Sequence, residues 1–139
     1  MAPEYKLTYF PVKGLGESVR FLLSYGKVDF EDCRIEIKQW PEIKPTMPFG
    51  QMPILEFSKT KAYQSAAICR YLAKQFNLVG ANELEDLEID AIVHTIIDLR
   101  AKINVYAHEP DSSLKEKYKD RLLEETKYGY SFLKSFRLI

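Results

Sequence analysis

The chain has 139 residues, 46% of them hydrophobic, and its 20 basic and 20 acidic residues cancel to a formal net charge of zero. This balance disfavours nucleic acid and anionic membranes as partners, and no stretch approaches the roughly 20 apolar residues of a membrane-spanning helix. Cys33 and Cys69 form no CxxC motif, so structural thiols are expected rather than a redox dithiol or a zinc site. The N-terminus lacks the apolar stretch of a signal peptide, and we expect a cytoplasmic protein.

The first part of the chain alternates between strand and helix patterns. Residues 5–10 alternate in polarity and are rich in β-formers, which predicts a strand that ends at Pro11. Residues 17–25 have helical periodicity and are followed by Gly26, a typical helix stop. Residues 29–37 alternate again, which predicts a second strand.

The next segment is rich in proline. Residues 40–48 contain three prolines and are predicted to be irregular, with room for one helical turn. Strands are predicted at 52–57 and, more weakly, at 61–63. The link between them, residues 58–60, contains no glycine, so a longer or irregular turn is expected rather than a tight hairpin.

Helical periodicity dominates the rest of the chain. Ser65 is predicted to cap a helix that extends to about residue 76. Two long helices are predicted at 84–106 and 114–136, the second of them interrupted at Gly129. A mixed α/β segment followed by helices alone predicts two small domains.

Five segments in the first half of the chain form a distinctive combination. They are YKLTYF at 5–10, GE at 16–17, WPEIK at 40–44, MPFGQMPILE at 47–56 and QSAAICRYL at 64–72. In this order and at these intervals they resemble the cytosolic glutathione transferases, most closely the sigma class, which includes invertebrate transferases, glutathione-dependent prostaglandin D synthases and S-crystallins. The resemblance implies an α/β thioredoxin-like glutathione-binding domain at residues 1–80 and a partial all-α domain at 83–139.

The resemblance places Tyr9 at the thiol of glutathione, the expected co-substrate. A free thiol has a pKa of about 8.5, so a hydrogen bond donated by Tyr9 would favour the reactive thiolate at neutral pH. The resemblance also implies a cis peptide bond before Pro53 and pairing of the Met52 backbone with the cysteinyl part of glutathione, as in an added strand. The strand pattern alone favours a packing role for Tyr9, and the thiolate role is favoured only by the whole set of motifs.

The remaining glutathione contacts are also carried over from the family. Gln64 and Ser65 are expected at the γ-glutamyl end, where the start of a helix favours a carboxylate. Trp40, Lys44 and Gln51 are expected at the glycyl end. Asp98 would reach the glutathione of the other subunit in a homodimer, and the resemblance is the only basis for this assignment.

The resemblance also implies a pocket for a hydrophobic electrophile between the two domains. Its expected lining residues are Val12, Leu15, Leu99, Ile103 and Tyr106. Prostaglandin D synthases carry an arginine where this chain has Leu15, and of the acidic residues that bind their magnesium ion only Asp98 is present. We therefore expect no metal and make no prostaglandin assignment.

The similarity ends before the family's remaining helices, so a C-terminally truncated glutathione transferase is expected. The leading interpretation is an enzyme that conjugates glutathione to hydrophobic electrophiles. A non-catalytic protein on the same scaffold, similar to S-crystallins, is the first alternative. A truncated chain that acts only through interactions is the second, and a thioredoxin-type oxidoreductase is weaker because no catalytic dithiol is present.

Overall fold

The first part of the chain is built on a four-stranded sheet. A computed structural model describes residues 4–135, with side chains through residue 127. The strands are β1 (Tyr5–Tyr9), β2 (Phe30–Arg34), β3 (Ile54–Phe57) and β4 (Thr60–Tyr63), arranged in the order β2-β1-β3-β4. Strand β1 pairs in parallel with β2 and antiparallel with β3, which pairs antiparallel with β4.

Two helices complete this part of the fold. Helix α1 (Gly16–Tyr25) connects β1 to β2, because a parallel pair needs a crossover rather than a hairpin. Helix α3 (Ser65–Gln75) follows β4 and packs against α1. Apolar side chains from β1, β3 and both helices form the core: Tyr5, Leu7, Val19, Leu23, Leu55, Ile68 and Leu72. The predicted thioredoxin-like α/β architecture is confirmed.

The proline-rich segment contains more helix than the sequence predicted. It holds a 3-10 turn at Ile37–Gln39, the short helix α2 (Trp40–Ile43), and further 3-10 turns at Lys44–Thr46 and Pro48–Gly50. A proline occupies one of the first two positions in the last three of these elements. Proline suits the start of a helix because its φ angle is already helical and the first N–H groups need no partner inside the helix.

Two predicted strands are shorter than expected. Strand β2 ends at Arg34 rather than at residue 37, because Glu36 and Gln39 form a capping box that starts a 3-10 turn. Strand β3 begins at Ile54 rather than at Met52, since Pro53 has no N–H to donate to a neighbouring strand. The Met52–Pro53 peptide bond is cis, as the resemblance implied.

The predictions for one turn and one helix cap were wrong. The β3–β4 turn is tight: Phe57 pairs with Thr60, and Ser58 itself adopts the left-handed conformation with a φ of 53°. Ser65 is the first residue of α3 rather than its cap. The cap position belongs to Gln64, whose φ is 68°, and the Gln64 side chain makes no capping hydrogen bond.

The rest of the described chain consists of two long helices. They are α4 (Glu83–His108) and α5 (Ser112–Ser135), and α5 continues through Gly129 without the predicted interruption. Asp111 caps α5, since its carboxylate accepts hydrogen bonds from the N–H groups of Ser113 and Leu114. The chain divides into two compact units between Glu85 and Asp86. Within the described residues, neither long helix is apolar enough to span a bilayer.

Candidate functional site

Tyr9 is the last residue of β1, and its side chain is almost fully buried. Its hydroxyl oxygen accepts a hydrogen bond of 3.1 Å from the backbone N–H of Leu15, in the loop that leads to α1. A tyrosine hydroxyl is both a donor and an acceptor. Because the Leu15 N–H uses the acceptor side of the oxygen, the hydroxyl proton of Tyr9 is left to donate to another group.

Two glycines leave space for the Tyr9 ring. A Cβ atom at Gly14, where φ is +46°, would lie 2.5 Å from the Tyr9 hydroxyl oxygen. A Cβ atom at Gly16 would lie 2.6 Å from a carbon of the ring. A side chain at either position would therefore displace the ring, so this position of the Tyr9 ring requires glycine at both.

A small cleft of about 50 Å³ opens in the first unit, where three chain segments meet. It is lined by Leu15, Pro48, Gln51, Met52, Pro53, Tyr63, Gln64 and Ser65. Six of these were predicted as site residues from the sequence, and Pro48 and Tyr63 were not. Because Leu15 both lines the cleft and holds the Tyr9 hydroxyl, the two features belong to one local arrangement.

The start of α3 presents free backbone donors at this cleft. The carbonyl of Gln64 accepts the first helical hydrogen bond, from the N–H of Ile68 at 2.9 Å. The N–H groups of the first helical residues have no partner inside the helix, and the Gln64 side chain at the cap position does not bond to them. Ser65 therefore offers a hydroxyl and an N–H at the positive end of the helix dipole, which favours an anion.

Trp40 and Lys44 lie in the proline-rich segment and are absent from the lining of the cleft. Trp40 is half-buried, and its ring packs edge-to-face on Phe10 with 5.3 Å between centroids. The aliphatic part of Lys44 passes close to Gly50, where a Cβ atom would lie 3.3 Å from it. The exposed Lys44 ammonium makes no ion pair with any described residue, so its charge is available to a carboxylate.

The residues predicted to line the electrophile pocket are divided between the two units, and Asp98 lies in the second unit. Asp98 is exposed on α4, as is Ile103, while Leu99 and Tyr106 are half-buried there. The Tyr106 ring is covered within its own unit by the ammonium of Lys115, 5.4 Å from the ring centre. Val12 and Leu15 belong to the first unit, so the electrophile pocket stays a prediction, as does the role of Asp98.

Arg20 of α1 is a buried charged residue that the sequence reasoning missed. Its guanidinium forms ion pairs with Glu17 at 3.0 Å and with Asp32 of β2 at 3.1 Å. Burial disfavours the cation, yet the hydrogen bonds to Glu17 and Asp32 outweigh it, and the pKa of Arg20 is raised. The available signal was Glu17 three residues before Arg20, next to the apolar Val19.

Comparison with known proteins identifies the family. The family described as "Glutathione S-transferase, N-terminal domain" matches residues 5–74, which is half of the chain. A "Glutathione S-transferase" of Anopheles gambiae is 55% identical over 115 residues, covering 83% of this chain and 57% of the relative. The human "Hematopoietic prostaglandin D synthase" is 49% identical over 96 residues, covering 69% of this chain and 48% of the relative.

A solved structure gives the same result. The "Structure of prostaglandin synthase D of Nilaparvata lugens" superposes with a TM-score of 0.85 at 50% identity, covering 92% of this chain and 64% of that one. The chain thus spans less than two thirds of the length of these relatives. The predicted family is confirmed: the chain belongs to the glutathione S-transferases.

Proposed function

We propose that the chain binds glutathione in the cleft of the first unit and transfers it to hydrophobic electrophiles, with Tyr9 stabilising the thiolate. The observation that carries this proposal is the cleft itself. It gathers Met52, Gln64 and Ser65, together with Leu15, which holds the Tyr9 hydroxyl. The relatives named glutathione S-transferase support the reaction class.

Each part of glutathione has a chemical match in this arrangement. The uncapped start of α3, with Gln64 and Ser65, suits the γ-glutamyl carboxylate. The backbone of Met52, just before the cis bond and strand β3, suits an extended peptide that adds to the sheet. Lys44, with Trp40 and Gln51, is assigned to the glycyl carboxylate.

Tyr9 has the geometry of a neutral donor. Its hydroxyl oxygen is held by the Leu15 N–H, and its proton is left for an acceptor such as a sulfur anion. Each unit by which the thiol pKa falls corresponds to about 1.4 kcal/mol of preferential stabilisation of the thiolate. The electrophile pocket, a homodimer with Asp98 reaching a second copy, and a cytoplasmic location stay predictions.

Calorimetric titration with glutathione and conjugation of a chlorinated nitrobenzene test the proposal on the purified chain. Tyr9→Phe removes only the hydroxyl, and Tyr25→Phe, at an exposed position on α1, is the matched control. We expect all three proteins to bind glutathione and Tyr9→Phe to conjugate about 10- to 100-fold more slowly, because a hydrogen bond to a charged group contributes about 1.5–3 kcal/mol.

Three outcomes would contradict parts of the proposal. Equal rates for the unmodified chain and Tyr9→Phe would exclude Tyr9 as the activating donor. Glutathione binding without turnover of any electrophile would favour the non-catalytic alternative. Failure of the unmodified chain to bind glutathione would remove the site altogether.

A further inference from the structure

The guanidinium of Arg20 joins three segments of the first unit. Its Nε donates to both carboxylate oxygens of Asp32, at 3.1 and 3.2 Å. Its Nη1 donates to Glu17 at 3.0 Å and to the backbone carbonyl of Val12 at 3.1 Å. Its Nη2 donates to the carbonyl of Phe10 at 3.4 Å. The planar fork of an arginine serves several acceptors at once, which an ammonium does not do with the same geometry.

Two of these bonds hold the loop that starts directly after Tyr9. Phe10 and Val12 are the first and third residues of this loop. The same loop returns at Leu15, whose N–H donates to the Tyr9 hydroxyl. The loop is therefore anchored to Arg20 near its beginning and to the Tyr9 hydroxyl at its end.

We propose that Arg20 is a positioning residue for the thiolate: by holding the loop of residues 10–15, it keeps the Leu15 N–H on the Tyr9 hydroxyl and so directs the hydroxyl proton at the sulfur. This inference rests on the proposed function. It assigns Arg20 no contact with glutathione, and its action passes through Leu15 and Tyr9.

The alternative is that Arg20 only stabilises the fold. Its buried ion pairs are consistent with that role, so loss of stability in a variant does not distinguish the two. The distinguishing property is dependence on Tyr9. If Arg20 acts through the hydroxyl, its effect on the bound thiol disappears when the hydroxyl is absent, whereas a role in stability alone does not depend on Tyr9.

The charged groups around Arg20 also define the control. Glu17 on α1 and Asp32 on β2 face the guanidinium, and Arg34 on β2 shares Asp32 at 2.8 Å. The Arg34 side chain is about half exposed, and its guanidinium bonds to Asp32 rather than to the loop carbonyls that Arg20 holds. Arg34→Lys therefore makes the same substitution at another arginine that pairs with Asp32. It leaves the hydrogen bonds from Arg20 to the loop in place.

The experiment is a double-mutant cycle on the full chain with bound glutathione. Arg20→Lys, Tyr9→Phe and the double variant are compared by the ultraviolet absorbance of the bound thiolate as a function of pH. Affinity for S-methylglutathione, which has no ionisable thiol, is measured in parallel, and all data are taken below each variant's melting temperature. If Arg20→Lys does not fold, Asp32→Asn replaces it, because this variant weakens the hydrogen bonds that hold the Arg20 guanidinium.

In the protein that retains Tyr9, we expect Arg20→Lys to reduce the ratio of thiolate to thiol at neutral pH about tenfold, equivalent to about one unit of the thiol pKa. With Tyr9→Phe present, the same change should alter it by less than about twofold. Arg34→Lys should leave the thiolate fraction unchanged, and S-methylglutathione affinity should hold within about twofold in every variant.

A tenfold fall in both backgrounds, or a parallel loss of S-methylglutathione affinity, would overturn the inference and leave Arg20 a purely structural role. An unchanged thiolate fraction in Arg20→Lys, with an ionised thiol on the unmodified chain, would overturn the inference alone. Absence of an ionised thiol on the unmodified chain would overturn the proposed function, and this inference with it.

Discussion

The two compact units of the chain treat their apolar residues differently. In the first unit, Leu7, Leu55 and Leu72 are completely inaccessible to solvent. In the second, none of the described residues is buried, and Leu87 on α4 is 64% exposed. Both units contain helices with apolar residues at helical spacing, although the apolar side is less sharply defined on α4 than on α1 and α3.

The contrast comes from what each helix packs against. Helices α1 and α3 share a core with β1 and β3, so their apolar sides are covered by a sheet. Within the described part of the second unit, α4 and α5 have only each other. They share an ion pair between Lys102 and Glu125 and a shallow cleft of about 220 Å³ that includes Val105 and Leu122. Periodicity indicates which residues share a helix face, and the elements packed against the helix determine whether that face is buried.

The largest expected effect compares one leucine from each unit. Leu55→Ala removes a fully buried side chain and should lower the free energy of unfolding by about 2–5 kcal/mol. Leu87→Ala changes a mostly exposed side chain and should alter it by no more than about 0.5 kcal/mol. Urea denaturation followed by circular dichroism measures both. A loss for Leu87→Ala as large as that for Leu55→Ala would mean that α4 is covered in solution.

A smaller expected effect concerns Cys69, a thiol in the first unit whose reactivity depends on its burial. Burial raises the pKa of Cys69 on α3, and a hydrogen bond to Ser18 on α1 opposes this only in part. Since the thiolate is the nucleophile, we expect Cys69 to be alkylated severalfold more slowly at neutral pH in the folded chain than in urea. Its reaction should also rise to half its maximum at a higher pH than in urea.

Iodoacetamide and mass spectrometry measure this in a Cys33→Ser variant, where Cys69 is the single thiol. The same protein in urea is the control for intrinsic reactivity. Identical pH profiles for the folded and unfolded chains would show that Cys69 is not protected, and would weaken the distinction between the two units.

The smallest effect concerns a carboxylate in the second unit. Hydrogen bonds from Lys102 and Arg121 lower the pKa of Glu125 from its ordinary value of 4.5. A carboxylate with a lowered pKa in the folded state adds stability above its unfolded pKa and loses it as the pH falls through the folded pKa. Glu125→Gln should therefore lower the melting temperature slightly at neutral pH and not at all at strongly acidic pH.

Added salt should reduce the difference at neutral pH, because exposed ion pairs are screened. Glu124→Gln removes the same charge from a neighbouring exposed position and is the matched control. Equal melting temperatures for the Glu125→Gln and Glu124→Gln variants at neutral pH would show that the ion pairs on this surface contribute nothing specific.

Much of the site followed from short segments of the sequence. Residues 47–56 and 64–72 contain the cis Met52–Pro53 bond and the start of α3, which lie next to each other in the cleft. Tyr63 was missed; the pairing of β4 with β3 places it opposite Ile54, next to Pro53. Ser58 adopts a positive φ without the glycine that hairpin rules lead one to expect.

The sequence by itself determined the order of strands and helices, the two long helices of the second unit, and the family. These follow from local periodicity, turn chemistry and motif spacing, which depend on neighbouring residues. Only the tertiary structure decided that Arg20 is buried, because parallel pairing of β1 and β2 brings Asp32 to the guanidinium from twelve positions along the chain. It also decided which apolar faces are covered, since burial depends on segments that meet only after the sheet has formed.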